Sequence, residues 1–79
     1  MSHPKKTSKS AKDTVWRQPD GKAVSCLEKI KVLNENLNEI RQLAQDALED
    51  AILMGCDEHQ IRKVLADMLN ELANPYRKD

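Results

Sequence analysis

An all-α fold, an antiparallel hairpin of one long and one shorter helix, is what this sequence predicts, and three observations predict it. From Cys26 onward, Ile30, Leu33, Leu37, Ile40, Ala44, Ala47, Ala51 and Met54 recur at alternating steps of four and three. That is an unbroken heptad seam over about four heptads. A shorter seam, Ile61, Leu65, Met68 and Leu72, keeps the same period. Between the two lies LMGCDEHQI, Leu53 to Ile61, a glycine followed by polar residues where a chain must stop one helix and start another.

Composition bounds what such a chain does. It has 79 residues, of which 33% are charged and 3% aromatic, so it makes one small domain without a large enclosed pocket. No run approaches the ~18 apolar residues of a membrane span. The opening MSHPKKTSKSAKD has lysines without the apolar core of a signal peptide, and the expectation is a cytoplasmic protein without a membrane partner.

The formal net charge is zero, but the charge is unevenly spread. Through Val24 there are six Lys/Arg against two Asp, a surplus of four that the remaining residues reverse. Residues 1–13 therefore read as a disordered basic tail, polar and unable to bury surface. Lys5, Lys6, Lys9 and Lys12 are the candidates for a nucleic-acid contact by counterion release. The competing reading is a tail that only solubilises.

Residues 14–24 form a turn segment. In QPDG, Gln18 to Gly21, proline takes the second and glycine the fourth place of a type I turn. The arms on either side can pair as a short hairpin, which alone is marginal in water and must lean on something. Trp16 is the anchor for that contact, either on its own chain or on a partner.

Residues 25–74 are the helical hairpin domain. Ser25 and Glu28 have capping-box spacing, so the long helix is expected from Ser25 to Met54. Leu27, Leu43 and Leu48 widen its seam to the stripe of a bundle helix. The seam changes along its length: large residues at Ile30, Leu33, Leu37 and Ile40 give way to Ala44, Ala47 and Ala51. Small residues admit a close helix and large ones need holes in a facing surface, so two different neighbours are implied. Asn34, Asn36 and Asn38 stand beside the first half, where amides fix register or simply face solvent.

Gly55 ends the long helix in the left-handed conformation, and Asp57 with Gln60 repeats the capping-box spacing for the next. Glu58 suits the positive end of that helix and pairs with Arg62 four residues on. The short helix is expected to stop near Ala73, with Asn74 as a left-handed cap before Pro75 and residues 75–79 as a tail.

Length then implies partnership. The short helix covers only the alanine-rich half of the seam, and one helix pair buries too little apolar area to offset the ordering of about 50 residues. A homodimer, two hairpins joined as a four-helix bundle, resolves both problems. The expected interface is Ile30, Leu33, Leu37, Ile40, Ala44 and Ala47. Cys26 and Cys56 sit at opposite ends of the long helix, too far apart for an intrachain disulfide. In an antiparallel dimer crossing near Ile40 or Arg41, Cys26 of one chain approaches Cys56 of the other.

Chemical readings of the bend are weaker. Cys56 and His59 have two-ligand spacing, yet the only other histidine, His3, is in the tail, so no metal is expected. The Asp46, Glu49, Asp50 run reads as a solvated face. Neither cysteine has an evident group to lower its pKa, and the two glycines, Gly21 and Gly55, serve bends rather than a phosphate loop. No catalytic residues, enzymatic activity or cofactor are expected. GCDEHQIRKVLADML has the outline of a turn and helix from a helix-turn-helix, but that helix opens Asp57, Glu58 and offers DNA only Arg62 and Lys63. The function expected is a non-enzymatic interaction module or small regulator, partnered with itself and with an unidentified protein. A nucleic-acid-associated protein using the lysine tail is the alternative.

Overall fold

The computed structural model describes residues 14–77. Two helices form, α1 (Leu27–Leu53) and α2 (Glu58–Asn70), and no strand accompanies them among the described residues. The arrangement is all-α and hairpin-like. Two compact units divide the chain, Met1–Arg41 and Gln42–Asp79, with α1 contributing to both. The lysines of residues 1–13 and the last two tail residues lie outside the described residues.

In the first unit, the proline turn closes as its residue types demand. Gly21 donates its N–H to the Gln18 carbonyl at 2.8 Å and has a φ of 91°. Gln18 N–H reaches the Lys22 carbonyl at 2.8 Å, which makes a three-residue loop of a type I turn followed by a left-handed glycine. Asp20 Oδ1 accepts the Lys22 N–H at 2.9 Å. Among the described residues one isolated antiparallel bridge forms, Arg17 with Ala23, and Val24 N–H closes onto the Trp16 carbonyl at 2.8 Å. The paired arms are thus one step long.

That pairing delays α1. The capping box expected at Ser25 gives way to a start one residue later, where Ile30 N–H bonds the Cys26 carbonyl at 3.0 Å. Val24 N–H is engaged with the Trp16 carbonyl, and the helix ladder begins only with the Cys26 carbonyl. Cys26 rather than Ser25 takes the cap.

In the second unit, the bend is a Schellman motif. Gly55, at a φ of 93°, donates to the Ile52 carbonyl at 3.0 Å, and Cys56 N–H reaches back to the Ala51 carbonyl at 2.9 Å. Two otherwise orphaned carbonyls are satisfied by one left-handed glycine. Asp57 then caps α2 in extended conformation, its Oδ2 accepting the Gln60 N–H at 2.8 Å. Glu58 and Arg62 pair at 2.9 Å, and Lys63 and Asp67 at 2.7 Å.

The end of α2 departs from expectation. The helix stops at Asn70 rather than near Ala73, with right-handed Glu71 as its cap. No residue other than glycine has a positive φ among the described residues, so Asn74 is not a left-handed cap. Pro75, which has no N–H for the Glu71 carbonyl and whose ring crowds it, sets only the outer limit near Ala73; the ladder already ends at Leu72, whose N–H turns to the Leu69 carbonyl at 3.4 Å. The residue before Pro75 is also pushed out of the helical region. Asn74 instead turns the chain by accepting the Tyr76 N–H on Oδ1 at 2.8 Å.

Candidate interaction surface

No side chain is buried among the described residues. The seam is visible as partial burial. In the first unit Ile30, Leu33 and Leu37 are half-buried, together with Thr14, Trp16, Val24 and Asn34. In the second, Ala44, Ala47, Leu48 and Ala51 of α1 and Ile61 and Leu65 of α2 are half-buried. Five of the six expected interface residues fall in these sets. Ile40 is the exception, exposed at 49%.

Trp16 is fixed within its own unit. Its indole N–H donates to Asn34 Oδ1 at 2.8 Å, a bond between residues 18 apart in sequence. A tryptophan with one apolar body and one donor needs an acceptor when it leaves water, and Asn34 supplies it from the flank of α1. The hairpin arm is thereby tied to the large-residue half of the seam. Of the three asparagines beside that half, Asn34 has this structural task, while Asn36 and Asn38 are exposed.

Large apolar residues remain exposed on both helices. Val32 is 52% and Leu43 70% exposed on α1, and Val64, Met68 and Leu69 are exposed on α2. A shallow groove of about 400 Å³ opens on the first unit, lined by Glu28, Lys29, Val32 and Leu33. Val32 was not among the seam positions. Its signal in the sequence is the four-residue spacing Val32, Asn36, Ile40, a second line one step round the helix from the first.

Cys26 differs from its sequence-based expectation. Its thiol is held below the ordinary value, chiefly because the Lys29 backbone N–H donates to the sulfur, then because the Glu28 N–H does, with the Lys29 charge adding to them. Slight desolvation works the other way. The cause is the helix start itself, whose free N–H groups stabilise an anion. A cysteine directly before an apolar helical period is the signal that would have exposed this. Both cysteines are free thiols at the surface.

The bend carries no assembled metal site: no group of three or more His, Cys, Asp or Glu gathers among the described residues. Asp46 and Glu49 accept hydrogen bonds from Gln42 and Gln45 at 2.9 and 2.8 Å along the helix surface. Arg62 and Lys63, the two cations a helix-turn-helix would present, are each paired with an acid of α2. Among the described residues no helix is long and apolar enough to cross a membrane. Comparison with protein-family models, curated proteins and solved structures finds no match.

Proposed function

We propose that this chain is a non-enzymatic interaction module that acts through homodimeric helical surfaces, two hairpins joining as a four-helix bundle. The observation that carries the reading is the absence of any buried side chain among the described residues, alongside large apolar groups left open on both helices. A domain of this size without a closed core needs oligomerisation, a metal or disulfides to be stable. Its cysteines are free and no metal-binding cluster gathers among the described residues, which leaves association. The proposed interface uses Ile30, Leu33, Leu37, Ile40, Ala44 and Ala47, and a small regulator or adaptor presents such a surface to itself first.

Replacing Leu33 and Leu37 together with lysine tests it. Two charges placed on the half-buried seam should give a monomer or an unfolded chain by sedimentation and circular dichroism, a loss of at least about 2 kcal/mol. A well-folded dimer unchanged by the double substitution contradicts this use of the seam.

A further inference from the structure

The turn of the first unit holds a residue pair whose chemistry is covalent. Asp20 is the one Asp or Asn in this chain that glycine follows. The side-chain carboxyl of an aspartate and the amide nitrogen of the next residue can close a five-membered ring, and a Cβ on that next residue is what ordinarily obstructs the closure. Gly21 has none, and a Cβ added there would meet nothing within 4 Å. Both residues are exposed, so neighbours do not shield the pair.

What holds the two groups apart is the turn itself. Gly21 N–H donates to the Gln18 carbonyl at 2.8 Å, and Asp20 Oδ1 is occupied by the Lys22 N–H at 2.9 Å. The Arg17 guanidinium donates to the Gly21 carbonyl at 3.0 Å and adds a third tie. For ring closure the Gly21 N–H must leave its carbonyl and the carboxyl must leave Lys22, so reaction requires the turn to open. The other Asp and Asn side chains among the described residues lie within the helices, cap α2, or, for Asn74, precede a proline that has no N–H.

We propose that Asp20–Gly21 is a modification site, where the peptide converts to isoaspartate through a succinimide at a rate set by opening of the turn. The Gly21 nitrogen bonds to Asp20 Cγ, a Cγ–O bond breaks, and the oxygen departs as water with the amide proton and the carboxyl proton. Water then adds back. Hydrolysis at the α-carbonyl leaves Gly21 attached through Cγ and the free carboxylate on Cα, with no oxidant or reductant consumed. The main chain of the product is one methylene longer at Asp20. The bond between Gln18 and Lys22, the Arg17–Ala23 bridge and the bond from Val24 to Trp16 all depend on that length. The modification therefore frees the arm that Trp16 ties to Asn34.

The test incubates the full chain near neutral pH in heavy-oxygen water, folded and in urea. The tryptic peptide Gln18–Lys22 is then mapped by fragmentation that separates isoaspartate from aspartate. Asp20→Glu, which needs a larger and slower ring, is the blank. The expected result is isoaspartate carrying heavy oxygen at residue 20 in urea, formation at least about tenfold slower in the folded chain, and none in the blank. The isolated isoaspartyl chain, returned to native buffer, should show red-shifted emission from Trp16, the one tryptophan. Equal rates in the two states overturn control by the turn, and isoaspartate in neither state overturns the site. Unchanged Trp16 emission overturns the release of the arm.

Discussion

The two halves of the long helix meet different neighbours because they carry different side chains. In the second unit, Ala44, Ala47 and Ala51 make a smooth face, and the chain supplies a helix to it, with Ile61 and Leu65 half-buried. In the first unit, Ile30, Leu33 and Leu37 are too large for so close a helix, and the chain supplies a short hairpin instead, held by one tryptophan and one amide. Both solutions leave apolar surface open. The lesson is that residue size along one seam decides what kind of element covers it, and that neither element here closes a core.

The comparison breaks most sharply at Trp16. Replacement by alanine should cost about 2 kcal/mol, less than for a fully buried tryptophan, and release the arm from the first unit. Trp16→Phe should cost about 1 kcal/mol, the part owed to the bond with Asn34. Urea denaturation measures both, and equal losses would show that the hydrogen bond carries the whole contact.

Gly55→Ala probes the second unit alone. An added Cβ meets nothing within 4 Å, so the loss comes only from the positive φ and should be about 1–2 kcal/mol. Thermal melting followed by circular dichroism reads it. Asp57→Ala, which removes the acceptor for the Gln60 N–H, should cost about 1 kcal/mol in the same assay, and Asp57→Asn much less.

The gentlest test is electrostatic and sits in the first unit. A thiol whose folded value is depressed adds stability that is fully present above its unfolded value, near 9.0, and is lost as pH falls through the folded one. Iodoacetamide should therefore alkylate Cys26 at lower pH in the folded chain than in urea, as read by mass spectrometry. Identical profiles would show that Lys29 and Glu28 do not hold the thiolate. Cys26→Ser should abolish the pH dependence without opening the helix end.

Much of this fold is legible in the sequence, for identifiable reasons. QPDG, Gly55 and Asp57 each act through their own backbone preferences, so the turn, the stop and the start follow from local chemistry alone. The heptad seam is likewise local, and its half-buried members recur at the expected spacing. Three features were not legible because each depends on a distant or competing group. The start of α1 shifts from Ser25 to Cys26 because Val24 is engaged with Trp16. The end of α2 retreats to Asn70, short of the limit Pro75 sets, because the Leu72 N–H turns to the nearer Leu69 carbonyl. Of the candidate surface, Ile40 is readable from periodicity, whereas the opening of Val32 depends on which side of α1 the Trp16 arm takes, and the sequence does not encode that in any spacing.

The central claim is that this chain completes its core with a second copy. Sedimentation equilibrium of the full chain over a range of concentrations tests it most directly. The account predicts a species of twice the 9.0 kDa chain mass, with a melting temperature that rises with concentration. A 9.0 kDa species throughout, melting cooperatively at a temperature independent of concentration, would contradict it.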